Sequence, residues 1–107
     1  MSEPIQTIEL SDKFESAVIN GHKTQTTRKG LCAYRLGPAL LHCGNTYIPI
    51  TIMSLRLKHF DELTKTEAQR DGFATLAEFK DSLRQFYPTI DDSSLVTVVT
   101  FYVEEAD

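Results

Sequence analysis

The chain has 107 residues, 41% of them hydrophobic and 24% charged, which fits one compact domain over residues 1–107 and leaves no room for a second. A net charge of -4 excludes a general polyanion binder, because sequence-independent binding to nucleic acid needs many uncompensated cations. No uncharged apolar run approaches the roughly 18 residues that cross a bilayer, so no membrane partner is expected.

Taken in chain order, residues 5–10 predict a short strand. Ser11 or Asp12 caps a following helix whose Phe14, Ala17 and Val18 share one apolar face. Asn20-Gly21 ends it, with Gly21 suited to the left-handed position that follows a helix. Thr24 to Arg28 alternates and is β-branched, which predicts a strand. Residues 29–38 read as loop. Ala39 to His42 and Tyr47 to Leu57 read as strands joined by Cys43-Gly44-Asn45-Thr46. Ile48, Ile50 and Ile52 share one parity while Leu55 and Leu57 have the other, so a bulge is expected near Met53 or Ser54. Pro49 places its stretch at an edge or a strand end.

Thr64-x-x-Glu67 and Thr75-x-x-Glu78 are capping boxes that open two further helices. Gly72 closes the first. Leu76, Phe79, Leu83 and Phe86 form the apolar stripe of the second, which stops at Pro88. Leu95 to Val103 is apolar on both faces and predicts a central strand. The sum is an α+β domain: a small, mostly antiparallel β-barrel of about five strands flanked by about three helices.

Charge is unevenly placed. Between Glu15 and Asp61 there is no Asp or Glu, yet Lys23, Arg28, Lys29, Arg35, Arg56 and Lys58 and all three histidines fall there. Such a segment aims local positive potential at an electron-rich partner. Within it, Gly21-His22-Lys23-Thr24-Gln25-Thr26-Thr27-Arg28 concentrates a Lys, hydroxyls and an Arg in one turn-to-strand region. Thr26 is a candidate nucleophile and needs a base, a part Lys23 can take if burial keeps its amine neutral. Strand alternation opposes the pair, since positions i and i+3 face opposite ways. The two can converge only if Lys23 lies in the turn ahead of regular pairing. Glu67 and Asp71, four apart, share a helix face, and Asp71 in the last turn is a candidate proton donor. Tyr34, Tyr47, Phe73 and Tyr102 are candidate stacking partners for a base.

His22, Cys32, His42, Cys43 and His59 match no metal-ligand spacing, and the glycines form no phosphate loop, so neither a metal nor a cofactor is expected. The two cysteines do not form a Cys-x-x-Cys pair and the first nine residues show no signal pattern. A cytoplasmic protein with reduced thiols is the expectation.

Gly21-x-Lys23-x-x-Thr26-x-Arg28 resembles the signature of the ASCH superfamily, PUA-like small barrels associated with RNA. Ala68-Gln69-Arg70-Asp71-Gly72-Phe73, Leu76-Ala77-Glu78-Phe79 and Tyr87-Pro88 resemble its second region, so the likeness runs from about Phe14 to Val103. Within the superfamily, the small bacterial N4-acetylcytidine amidohydrolases are similar in length and layout. The resemblance implies Lys23 as base, Thr26 as nucleophile and Asp71 as the acid, one methylene shorter than the family's Glu, with Glu67 the second candidate for that role. It implies a modified nucleoside as substrate; Gly21, Arg28, Tyr34, Glu67 and Phe73 are the expected substrate-binding residues. The alternatives are a non-catalytic module that binds single-stranded RNA, or a ribonuclease. A monomer or weak dimer is expected.

Overall fold

The computed structural model describes residues 5–104. Five strands form one sheet: β1 (Gln6–Leu10), β2 (Gln25–Lys29), β3 (Gly37–Cys43), β4 (Thr46–His59) and β5 (Leu95–Val103). Their order is β1-β3-β4-β5-β2, and the sheet curls into a half-barrel. The β1–β3 ladder is parallel; the other three are antiparallel. Three α-helices, α1 (Glu15–Ile19), α2 (Lys65–Arg70) and α3 (Leu76–Phe86), complete the α+β fold. The helix expected after Ser11 begins as a 3-10 turn, Asp12–Phe14, and Ser11 makes no side-chain cap there.

The predicted bulge is present. The β4–β5 register shifts between Ile52 and Ser54, which leaves Met53 as the extra residue. That shift moves Leu55, opposite Val99, onto the core already lined by Ile48, Ile50 and Ile52. Pro49 stands opposite Leu40 of β3, and its carbonyl accepts from the Glu104 N–H (3.0 Å) just past the β5 ladder, which begins at Ile50. Its missing N–H is thereby harmless within an otherwise central strand.

Two apolar clusters sit on opposite faces of the sheet. Ile8, Val18, Leu41, Ile50, Val99 and Phe101 belong to the one inside the half-barrel. The other joins Val96 and Val98 of β5 to Phe60, Ala68, Phe79 and Leu83 on the helical side. Directly paired residues of an antiparallel ladder share a face. Thr26, opposite Val99, therefore faces the barrel interior, and Thr27, opposite Val98, faces the helices.

Both expected caps form, unequally. At α2 the Thr64 hydroxyl accepts from the Glu67 N–H while the Glu67 carboxylate takes the Thr64 N–H, a full capping box. At α3 Thr75 accepts from the Glu78 N–H, and the reciprocal bond is not formed among the described residues.

β1 and β2 are the two ends of the sheet order, and no ladder joins them. The barrel thus keeps a seam between these strands. Arg28 crosses it: Nη2 donates to the Glu9 main-chain carbonyl of β1.

Candidate active site

A cavity of about 140 Å³ lies along this seam. Its walls come from the end of β1, from Thr26, Thr27 and Arg28 of β2, and from Phe79, Leu83 and Phe86 of α3. One water needs roughly 10–15 Å³ by the same measure, so the space suits a group the size of a ring rather than a lone solvent molecule. The lining combines the polar Lys23, Thr26, Arg28 and Asp71 with apolar and aromatic side chains such as Leu10, Phe14, Phe73 and Phe79.

The turn before β2 sets Lys23. Gly21 has φ +84°, a left-handed conformation that a side chain would strain. Lys23 N–H then donates to the Ala17 carbonyl (2.9 Å) and Thr24 N–H to the Arg70 carbonyl (2.8 Å), which ties the turn to α1 and to the end of α2. The β2 ladder begins only at Gln25. Lys23 is therefore free of strand alternation, the condition its convergence with Thr26 requires, and both side chains line the one cavity.

Lys23 is 2% exposed. Its Nζ donates to the Asp71 carboxylate through Oδ1 and to the Asp71 carbonyl at 2.7 Å, and lies 4.6 Å from the centre of the Phe14 ring. Asp71 is the C-cap of α2, so the amine meets the negative end of that helix. Burial pulls the Lys23 pKa below its ordinary value near 10.5, against the opposing pull of Asp71; Arg28 adds to the lowering.

Asp71 receives three side-chain donors: Lys23 on Oδ1, and Gln25 Nε2 (3.2 Å) and Thr27 Oγ1 (2.9 Å) on Oδ2. Gln25 and Thr27 are buried on the helical face of β2, and sequence reasoning had assigned them no part. Gly72 follows Asp71 at φ +97°, with the Lys23 stem against it.

Thr26 is 1% exposed on the other face of β2. Its Oγ1 accepts from Arg28 Nη1 at 2.6 Å, and the same nitrogen donates to the Thr27 carbonyl at 3.0 Å. Arg28 thus spans from the candidate nucleophile to β1.

The other expected site residues divide. Phe73 lines the cavity, edge-on to Phe14 with ring centres 6.1 Å apart. Gly21 shapes the turn and is not part of the wall. Tyr34 packs against the barrel core; burial raises its hydroxyl pKa, and Arg28 opposes that. Glu67 stands outside the cavity. Its carboxylate is taken by Lys58 (2.8 Å), Arg56 (3.1 Å) and the Thr64 cap. Burial pushes its pKa up, but the Lys58 and Thr64 hydrogen bonds outweigh this and hold it below the usual value. Glu67 was expected at the substrate; here its carboxylate is engaged by ion pairs and the α2 cap, and it is not in the cavity lining.

Phe14, Ser82, Phe86 and Glu9 line the cavity without having been assigned a part in the site. Ser82, at i+3 from Phe79 and i−4 from Phe86, shares the helix face of that stripe, and a small polar residue on an apolar face was the available signal.

Three of the six Lys and Arg side chains of the acid-free segment pair with carboxylates of α2 and its C-cap. Asp71 takes Lys23, and Glu67 takes Arg56 and Lys58. Among the described residues, no group of three or more His, Cys, Asp or Glu stands close enough to hold a metal ion, and no helix is long and apolar enough to cross a membrane.

No family model matches the chain. It is 30% identical over 90 residues to an N(4)-acetylcytidine amidohydrolase of Moritella marina, a match covering 79% of this chain and 83% of that protein. The fold is similar to the ASCH domain of a Lactobacillus crispatus protein, with a TM-score of 0.70 and 17% identity over 82% of this chain and 68% of that one. A protein of Enterococcus faecalis gives 0.78 and 16% over 97% and 78%. An ASCH protein of Zymomonas mobilis, as its S128A mutant, gives 0.65 and 14% over 92% and 66%. These structures share the fold.

Proposed function

This chain belongs to the ASCH superfamily, akin to its amidohydrolases, and from that premise we propose that it deacetylates N4-acetylcytidine or a closely related acylated cytosine nucleoside in the cytoplasm. The observation that carries the reading is the meeting, in one cavity, of a buried amine, a buried threonine hydroxyl, a guanidinium and a carboxylate.

In this reading the neutral Lys23 amine takes the Thr26 hydroxyl proton as Oγ1 attacks the acetyl carbonyl. Arg28, already on Thr26 Oγ1, stabilises the oxyanion that forms. The amide C–N bond then breaks. Lys23, held by Asp71, returns its proton to the departing exocyclic nitrogen, so Asp71 assists the acid step through the amine it carries. Water cleaves the resulting threonine ester with Lys23 again as base, and acetate leaves. The aromatic walls, Phe73 and Phe86 among them, offer faces for the cytosine ring.

The non-catalytic RNA-binding reading draws on the acid-free segment, where Lys23, Arg56 and Lys58 are already matched to internal carboxylates. That leaves less positive potential for a phosphate backbone. The test is chromatography of N4-acetylcytidine incubated with the purified protein. One acetate released per cytidine formed is expected. An unchanged nucleoside would overturn the proposal.

A further inference from the structure

Strand β2 carries its functional groups on both faces. Thr26 and Arg28 lie on one; Gln25 and Thr27 lie on the other and both donate to Asp71 Oδ2. Both are buried, Gln25 fully. The second Gln25 contact, Nε2 to the Glu67 carbonyl at 3.0 Å, fixes which way its amide turns, because the nitrogen serves two acceptors. Neither residue needs to be polar to hold the strand. Val96 and Val98 on the same side of β5 show that an apolar side chain suits this face. A buried amide and a buried hydroxyl are costly unless their bonds are used. Here the hydroxyl and one amide N–H go to a single carboxylate oxygen, the amide nitrogen also serves the Glu67 carbonyl, and Gln25 Oε1 has no hydrogen-bond partner among the described residues.

We propose that Gln25 and Thr27 are positioning residues that act on Lys23 through Asp71. By donating to Oδ2 they draw carboxylate charge away from Oδ1, fix the rotamer that meets the amine, and loosen Asp71's grip on the Lys23 proton. A bare carboxylate in a buried site would hold an ammonium tightly and make it a poor base. With two donors on its far oxygen, Asp71 still orients the amine, yet lets it give up its proton. The other groups facing Lys23 are few. Arg28 of β2 acts in the same direction as the donors, the buried Cys43 thiol of β3 acts weakly against them, and Lys13 stands beyond the Phe14 ring, 5.1 Å from its centre. The wall from α3 contributes Ser82 and apolar side chains. The catalytic use of this arrangement rests on the reading given above; the proton affinity of Lys23 does not.

The experiment follows the 13Cε resonance of Lys23 in lysine-labelled protein across alkaline pH, in wild type, Thr27→Val, Gln25→Met and Thr27→Ser. Thr27→Val and Gln25→Met should each raise the Lys23 midpoint, by about one pH unit for the loss of one donor to a carboxylate. Thr27→Ser, which keeps the hydroxyl, should leave it in place. Where the protein hydrolyses N4-acetylcytidine, the acid limb of kcat/KM should move with the midpoint, giving about a tenfold loss at pH values below it. A folded Thr27→Val or Gln25→Met whose midpoint stays put or falls would overturn the proposal. Should one variant not fold, the other reads the same quantity, and Thr27→Ser separates loss of the hydroxyl from loss of packing. A wild type inactive on the nucleoside would sink the proposed reaction while the resonance still decides this inference.

Discussion

Lys23 and Asp71 are 48 positions apart in the chain, yet the Lys23 amine donates to both the main-chain carbonyl and the carboxylate of Asp71. The pair closes the C-terminal end of α2 against the turn that leads into β2. It also sets the chemistry of the cavity, because the amine is buried and its proton is contested between desolvation and a carboxylate.

That contest predicts a pH profile. Burial lowers the Lys23 pKa below 10.5, so the fraction of neutral amine, and with it kcat/KM for N4-acetylcytidine, should rise with pH through a midpoint that lies below 10.5. Stability follows the same linkage. Between the lowered folded value and the unfolded one, the unfolded chain binds more protons, so stability rises with pH across that window. The cost of burying the ammonium is full below the folded value and vanishes above the unfolded one. Denaturant unfolding of wild type and Lys23→Met should show Lys23→Met to be relatively more stable at pH 7 than at pH 10. A stability difference, Lys23→Met minus wild type, that does not fall as pH rises would contradict this.

Arg28 bridges the seam and touches Thr26 Oγ1. Arg28→Lys keeps the charge but loses the fork that serves Thr26 and Glu9 together. The expected result is a fall in kcat on the order of 10²-fold, with KM changing much less, as for removal of an oxyanion donor. Steady-state kinetics on the nucleoside checks it; an equal rise in KM with kcat intact would assign Arg28 to ground-state binding.

Glu67 should matter for stability rather than turnover. Glu67→Gln leaves Lys58 and Arg56 without their counter-charge and weakens the Thr64 capping box, at a cost of about 2 kcal/mol. Because its folded pKa is held below the usual carboxylate value, Glu67 contributes stability that is present above its unfolded pKa and is lost as pH falls through the folded one. Chemical denaturation at pH 7 and at pH 3 should therefore show the wild-type advantage over Glu67→Gln shrinking in acid. A kcat that falls while stability holds would instead return Glu67 to the site.

Much of the architecture was legible locally. The phase change from Ile52 to Leu55 announced the bulge at Met53, and Thr64-x-x-Glu67 announced the start of α2, because both are set by neighbouring residues. The likeness of the Gly21–Arg28 stretch to a known signature pointed to the cavity. Three things were not legible, all for one reason: they depend on which elements the packing brings together. Alternation placed Gln25 and Thr27 on one face of a strand but could not say that Asp71 would stand opposite. The acid-free segment read as a surface potential, whereas Glu67 and Asp71, folded back at α2, take up its Lys23, Arg56 and Lys58. The Phe79–Phe86 stripe of α3 read as core, yet part of it faces the seam, because β1 and β2 do not pair and leave a wall to be built.

The central claim is that the Thr26 hydroxyl performs the attack while the cavity around it stays as it is. Turnover of N4-acetylcytidine by Thr26→Ala, compared with wild type at matched folded concentration, tests this most directly. A loss on the order of 10³-fold or more in kcat, with the melting temperature little changed, is the predicted result. Thr26→Ala turning over at the wild-type rate would contradict the account.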